Sequence, residues 1–181
     1  MFHARGWSRR SGLRLLAAAG VGVGTAGAAR GAAAKATVAG HPLVGTWWVA
    51  SDPPGAVTLL STYHADGTYA DGGPPAAPAP PGAPHAVEFF GSGRGVWAAL
   101  DGRRAAVTLA VYRSDGDGSA LGAFSSRGVV ELDASGDGYR GAWTVDVLDA
   151  AGARVDGFEV ATRGRRLRLE PVGEEAGTPA P

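Results

Sequence analysis

The strongest constraint on the fold of this chain is a series of short β-prone runs, each closed by turn residues. After a first run that starts at Gly45, further runs cover residues 56–64, 68–71, 85–90, 94–100, 103–113, 121–133, 139–149, 154–162 and 165–171. Asp-Gly pairs such as Asp66-Gly67 and Asp101-Gly102 separate them, because tight hairpin turns need positive φ angles. No part of this region repeats its apolar residues every 3.6 positions, as a helix would. We therefore predict an all-β domain over residues 41–171, an up-and-down antiparallel meander of about eight or nine strands.

Alternation of apolar with polar or small residues identifies the buried face of two runs, because successive side chains of a strand point to opposite faces. The buried face carries Val107, Leu109, Val111, Tyr139, Trp143, Val145 and Val147. A meander hides such a face either as two stacked sheets or as a closed barrel. Closure also removes exposed strand edges, so we predict a barrel, with a sandwich as the alternative. Glycines inside the runs, Gly128, Gly141 and Gly157, would supply the bends that a small barrel needs.

Two places interrupt the meander. Arg163-Gly164 separates the last two runs, and we predict a turn there. Residues 72–84 read GGPPAAPAPPGAP, and proline supplies no N–H group to a strand ladder. This Pro-rich segment is predicted to be a surface loop or a polyproline II arm without a ladder. It is either a lid over the barrel mouth or an insertion without a role.

Charge is distributed unevenly along the chain. Residues 1–36 hold six basic residues and no acidic one, whereas the rest of the chain holds 11 arginines and 17 carboxylates, a formal net charge of −6. A domain that is acidic and free of lysine lacks the basic surface that nucleic acid requires. We expect no nucleic-acid partner. The chain has no cysteine, so its stability must come from a packed core and not from disulfides.

The basic N-terminal segment predicts export. An apolar stretch, Leu15–Ala29, follows the arginines and is too short and too weakly apolar to span a membrane stably. Cleavage after Ala28 or after Ala36 would follow small residues at the required positions. We interpret residues 1–36 as a cleaved signal, with a disordered Ala/Gly-rich tail as the alternative, and residues 172–181 as a disordered tail. The mature protein is then extracellular or in the cell envelope.

The signal resembles the twin-arginine type. Arg9 and Arg10 form the pair, Leu13 and Arg14 follow at the expected positions, and Gly12 stands where phenylalanine is usual. Glycine within the apolar stretch is also similar to signals of that route. The resemblance implies that the protein folds before export.

The first strand resembles the Gly-x-Trp signature of the calycin superfamily, which includes the lipocalins. Gly45 and Trp47 match the signature, and Arg166 or Arg168 in the last run matches the basic residue that lies across the tryptophan in those barrels. The resemblance implies that Trp47 plugs one barrel end beneath an arginine. Trp48 should point to the other face, because successive side chains of a strand alternate. Residues 41–171 also resemble small exported bacterial proteins, which implies fold and location only. Unlike lipocalins, the chain has no cysteine bridge and no C-terminal helix.

Two main classes of function stay open. In the first, the barrel binds a small apolar or amphipathic molecule without catalysis. The candidate ligand-binding residues are Trp97, Tyr112, Arg127, Tyr139, Trp143 and Phe158. Arg127 belongs to a polar patch, Ser125–Gly128, that lies either inside the barrel or on its wet outer face. If no small molecule binds in the barrel, the alternative hypothesis is a structural or interaction scaffold.

In the second class, the protein is a small-barrel enzyme of the isomerase or cyclase type. Its proton carrier would be an inward carboxylate, Glu88 or Glu159, or a histidine, His64 or His85. The sequence shows no linked acid, base and nucleophile, so we name no catalytic residue. We predict no metal site and no cofactor, because the histidines lack ligand spacing and SDGDGS (114–119) fits a hairpin turn better than a calcium loop. Oligomeric state stays open.

Overall fold

The computed structural model describes residues 38–52 and 58–169. The predicted export signal (1–36) and the predicted tail (172–181) lie outside the described residues. A short 3₁₀ helix, Val38–Gly40, precedes the strands. Among the described residues, no helix is long and apolar enough to span a membrane.

Ten strands follow in the described part of the chain. Their bounds are β1 (Gly45–Asp52), β2 (Thr58–Tyr63), β3 (Thr68–Gly72), β4 (Ala76–Pro78), β5 (Val87–Phe90), β6 (Gly93–Ala99), β7 (Arg104–Ser114), β8 (Ala120–Leu132), β9 (Gly138–Leu148) and β10 (Arg154–Arg166). All neighbouring pairs are antiparallel.

The strands close into a barrel. β1, β2, β3, β6, β7, β8, β9 and β10 are neighbours in that order, and β10 pairs with β1 to complete the ring. β4 and β5 form a hairpin inserted between β3 and β6, and β5 pairs with the end of β7 through Phe89 and Phe90. The all-β, up-and-down antiparallel barrel predicted from the sequence is confirmed, with eight strands in the ring.

The inner face follows the predicted alternation. Val107, Leu109, Tyr139, Trp143 and Val145 are buried. Gly128 and Gly141 lie on this face because a Cβ at either position would overlap the indole of Trp143. Besides any bend they allow, these glycines therefore make room for a large core side chain.

The predicted turn at Arg163-Gly164 is wrong, since β10 runs through both residues without a break. Gly164 pairs with Tyr139 of β9, and a Cβ on Gly164 would collide with the Tyr139 ring. Glycine at this position permits the close approach of an aromatic ring and does not mark a change of chain direction.

The Pro-rich segment is also more regular than expected. Ala76–Pro78 forms strand β4 and pairs with Val87–Phe89 of the next strand. The expectation that the whole segment lacks a ladder is wrong here, because two alanines supply N–H groups and the proline stands at the strand end. The backbone N–H groups of Ala79 and Phe90 bond to the carbonyl oxygens of Ala86 and Pro75 at 2.9 and 2.8 Å.

Different connections between strands lie at the two ends of the barrel. At the first, the closed end, lie the segment before β1 and the β2–β3, β6–β7 and β8–β9 turns. At the other, the mouth, lie the β4–β5 hairpin and the β7–β8 and β9–β10 turns. Because neighbouring strands are antiparallel, these groups of connections necessarily fall at opposite ends.

Candidate functional site

Trp47 and Arg166 occupy the closed end. The Trp47 side chain is fully buried, and its Nε1 donates to the carbonyl oxygen of Leu43 at 2.9 Å. The Arg166 guanidinium carbon lies 4.2 Å from the centre of the indole ring. The same guanidinium donates to the carbonyl oxygens of Val44, at 3.1 Å, and Pro42. The cation therefore covers the ring and ties down the chain that precedes β1.

The second arginine named from the sequence, Arg168, lies elsewhere. Its guanidinium donates to the Asp137 carboxylate at 2.5 Å, and its side chain is mostly exposed. Gly45, the first residue of the signature, has a positive φ of 132°, and a Cβ there would touch the Arg166 guanidinium. Gly45 thus leaves the space in which that guanidinium lies.

A layer of aromatic rings lies across the closed end. Edge-to-face contacts with ring centres 5.0–6.2 Å apart join Trp47, Tyr63, Tyr69, Trp97 and Tyr139. Such geometry is favourable between aromatic rings. Trp97 and Tyr139, both predicted to bind ligand, belong to this buried layer, which we call the floor of the barrel. Trp143, a third candidate, is buried beside them and donates from Nε1 to Thr162 Oγ1 at 2.9 Å.

A chain of polar groups rises from this layer along β2 and β3. Ser61 Oγ and the Tyr69 hydroxyl are 2.7 Å apart, and the Tyr69 hydroxyl donates to Asp71 Oδ2 at 3.4 Å. The other carboxylate oxygen of Asp71 accepts from the N–H of Gly93 at 3.0 Å. Gly93 is required because a Cβ there would overlap the carboxylate. Burial raises the pKa of Asp71, and the Gly93 N–H opposes part of that rise.

Two further hydroxyl groups lie behind this chain. The hydroxyl oxygens of Tyr63 and Tyr139 are buried and, within the described residues, make no well-formed hydrogen bond. Burial raises the pKa of Tyr139 to about 12 and that of Tyr63 well above its ordinary value. Both are therefore neutral near pH 7, so they add dipoles and no charge to the floor.

Apolar side chains line the mouth. Phe124 contacts Phe158 edge-on at 6.2 Å between ring centres and stacks with Phe90 of the inserted hairpin at 6.0 Å. Phe158 pairs with the buried Val145 and therefore lies on the inner face of β10. It is nevertheless 41% exposed. An inward aromatic side chain with this exposure means that the inner wall is accessible at the mouth.

An ion pair joins the inserted hairpin to β7. Arg113 Nη2 lies 2.8 Å from both oxygens of Glu88, and Arg113 Nε donates to Oε2 at 3.1 Å. His85 Nε2 lies 3.3 Å from Glu88 Oε1, and the guanidinium also lies 4.7 Å from the Phe124 ring centre. Glu88, which is 5% exposed, was a candidate proton carrier. Its carboxylate is instead engaged by Arg113, and the pair holds the hairpin at the mouth.

Several residues named from the sequence lie outside the barrel. Tyr112 is 77% exposed, and Arg127 is exposed and donates to Asp146 at 2.6 Å on the outer face. Glu159 and His64 are exposed as well. Tyr112 therefore does not line the interior, and Arg127, Glu159 and His64 take the outward alternative that the sequence had left open. Strand register explains three of these positions, since Val111, Ser126 and Phe158 face inward and the residues that follow them must face outward. His64 lies in the turn after β2.

Asp71 was missed at the sequence level. The run TYAD (68–71) places Tyr69 and Asp71 two residues apart, and therefore on one face of a strand. That spacing was the available signal. The environment of the carboxylate could not be predicted, because it depends on Gly93, which is distant in sequence and both bonds the carboxylate and leaves room for it.

The described residues contain no group of three or more His, Cys, Asp or Glu side chains placed to hold a metal ion. An open groove of about 550 Å³ runs outside the ring between the inserted hairpin and the β7–β8 turn, where Val87, Phe89 and Leu121 contribute apolar surface.

Comparison of the chain with protein-family models, curated proteins and solved structures finds no match. The candidate functional site is therefore defined by geometry alone, as the inner wall between the aromatic floor and the mouth.

Proposed function

We propose that this protein is a non-enzymatic binding protein that holds one small amphipathic molecule in the mouth half of its barrel. The observation that carries the proposal is Phe158, an aromatic side chain on the inner face that stays accessible at the mouth. Phe124 and Phe90 extend this apolar surface. An eight-stranded barrel is just wide enough either to be filled by side chains or to hold one small ligand, and the exposure of Phe158 favours the second.

The wall below the aromatic mouth favours an amphipathic ligand over a purely apolar one. Ser61, Ser126, Thr162 and Tyr69 bring polar atoms to the buried inner face, and Asp71 brings a carboxylate. Ser61, Tyr69 and Thr162 are already hydrogen-bonded within the wall, but a ligand that buried only hydrocarbon here would strip water from the half-buried Asp71 carboxylate, which costs free energy. A polar head group that reaches this wall avoids that cost.

The same proposal includes a calycin-like grouping and export to the cell envelope or the exterior. Support for the grouping is the stack of Arg166 on Trp47 at the head of a closed meander. Support for export is the basic and then apolar segment that contains Arg9 and Arg10. N-terminal sequencing of the protein from culture medium tests this, with a new terminus expected directly after Ala28 or Ala36, and an intact Met1 in the cytoplasm as the contrary result.

Binding is tested with N-phenyl-1-naphthylamine, a neutral dye that fluoresces in apolar surroundings. We expect saturable binding to the wild type and affinity weaker by roughly fivefold or more in Phe158→Ser, because the lost ring is apolar contact area. Tyr112→Ser is the matched control, since it removes an exposed aromatic side chain from the outer face. The absence of saturable binding, or equal weakening in both variants, would contradict the proposal.

A further inference from the structure

The inner wall carries a carboxylate that lacks an ion-pair partner among the described residues, that of Asp71. Other charged groups at the barrel interior are engaged. Glu88 and Arg113 neutralise each other, and Arg166 is bonded to backbone carbonyl oxygens at the closed end. Arg94, exposed on the outer face of β6 and paired with Ala70, acts on Asp71 through space but forms no ion pair with it. The inner wall between floor and mouth therefore has a negative charge that no cation contacts directly among the described residues.

Asp71 lies where a ligand can reach it. It is the penultimate residue of β3 at the mouth end, and it is only half-buried, whereas Ser61 and Tyr69 behind it are buried. Its hydrogen bonds from Tyr69 and Gly93 use one acceptor direction on each oxygen. A carboxylate has about four acceptor directions, so acceptor capacity is left for a donor that enters from the mouth.

The surroundings of the mouth carry the same sign of charge. The β7–β8 turn (115–119) and the β9–β10 turn (149–153) contain Asp115, Asp117 and Asp149 and no basic residue. Asp156, exposed at the rim, pairs with Val147 and shares the inner register of Phe158. The nearby Arg154 is paired with Asp146. Negative potential at an entrance attracts cations and repels anions.

We infer that the molecule held in the mouth carries a cationic amine head group, which Asp71 receives while the apolar tail contacts Phe124 and Phe158. This rests on the proposed function. The ammonium group donates to the free acceptor positions of the carboxylate, a charge-assisted hydrogen bond. A carboxylate head group, as in a fatty acid, meets like charge at the same place and is disfavoured.

The test uses three ligands with the same twelve-carbon tail: dodecylamine, dodecanol and dodecanoate. Each displaces N-phenyl-1-naphthylamine from the wild-type protein at pH 7, below its micellar concentration. We expect dodecylamine to bind roughly tenfold or more tightly than dodecanoate, with dodecanol between them, and the preference to shrink at high salt.

Variants assign the preference to one residue. Asp71→Asn keeps the size of the side chain and removes its charge, so we expect dodecylamine to lose roughly tenfold in affinity and dodecanol to be unchanged. Unchanged dodecanol binding also shows that the variant is folded. Glu131→Gln is the charge-matched control on the exposed outer face, and we expect it to alter neither affinity.

The outcomes separate the two proposals. If the wild type binds all three ligands without preferring the amine, or if Asp71→Asn keeps that preference, the inference about the head group is overturned and the binding function stands. If the wild type binds neither the dye nor any of the three ligands, the proposed function fails, and the inference fails with it. The series on the wild type decides the matter even if a variant does not fold.

Discussion

The two ends of this barrel place aromatic side chains on the same inner face, with opposite results. Trp47 and Tyr63 are fully buried at the closed end, whereas Phe158 at the mouth is 41% exposed. The difference comes from what lies across each end. The segment before β1 and the Arg166 guanidinium cover the first, whereas the charged hairpin at the second leaves Phe158 accessible. One end is therefore packed as a core, and the other leaves an inner aromatic ring accessible, as the proposed binding role requires.

The largest expected effect is at the closed end, where Trp47→Ala tests whether buried aromatic packing stabilises the fold. Trp47→Ala removes a buried ring that contacts Tyr139 and Arg166, and we expect a loss of roughly 3 to 5 kcal/mol in the free energy of unfolding. Trp48→Ala is the matched control, because Trp48 is the next residue and is 48% exposed. Its loss should stay under about 1 kcal/mol. Equal losses in denaturant unfolding would mean that both faces of β1 are covered.

Gly164, on the neighbouring strand β10, tests the packing of the closed end. Gly164→Ala drives a Cβ into the Tyr139 ring, and we expect it to cost roughly 1 to 3 kcal/mol. Gly102→Ala is the control, since nothing lies within 4 Å of its added Cβ. That change should be within about 0.5 kcal/mol of neutral. A neutral Gly164→Ala would favour the turn that the sequence suggested.

At the mouth, breaking the ion pair between Arg113 and Glu88 should affect only the β4–β5 hairpin. Arg113→Met leaves the Glu88 carboxylate without its cation, so the hairpin should open more often while the ring stays folded. We expect amide hydrogen exchange at Phe90 to accelerate by about tenfold or more, with little change in the β9 and β10 amides. Arg127→Met, which removes an exposed pair on the outer face, serves as the control. Uniform acceleration throughout the barrel would mean that the hairpin is part of the cooperative core.

The smallest expected effect concerns the pH dependence of stability at Asp71. Burial raises its pKa above the ordinary value of 3.8, so the folded state binds more protons than the unfolded state between the two pKa values. Stability therefore falls as pH rises through that interval. Asp71→Asn should be more stable than the wild type at pH 7, and this gain should vanish below pH 3.8. Thermal unfolding at pH 3 and pH 7 measures it, and a variant that is less stable at pH 7 would show that the carboxylate serves the fold.

Much of the ring could be predicted from the sequence because its determinants are local. Alternation of apolar and polar residues in β7 and β9 predicts which side chains face the core, and the Asp-Gly pairs predict where the chain turns. Gly164 misled the prediction because its reason lies in Tyr139 on a neighbouring strand. β4 was missed because proline dominates the composition of its segment, although Ala76 and Ala77 carry the N–H groups.

The candidate site was less predictable, since it depends on contacts between distant residues. Phe158 follows from alternation in β10, but its exposure depends on what lies at the mouth. Asp71 belongs to a run too short for a reliable pattern, and its environment comes from Gly93 on another strand. Tyr112 and Arg127 were named for their chemistry, and strand register alone decides that they face outward.

The most direct test of the central claim is an NMR titration of the isotope-labelled protein with dodecylamine. A ligand held in the mouth half should shift the signals of Phe158, Phe124 and Asp71, and leave those of Trp47 and Trp48 almost unchanged. The Trp47 indole N–H gives a resolved reporter for the closed end, because it is buried and bonded to Leu43. Shifts centred on the outer face, or no shifts at saturating ligand, would contradict the division of the barrel into a closed, stabilising end and a binding mouth.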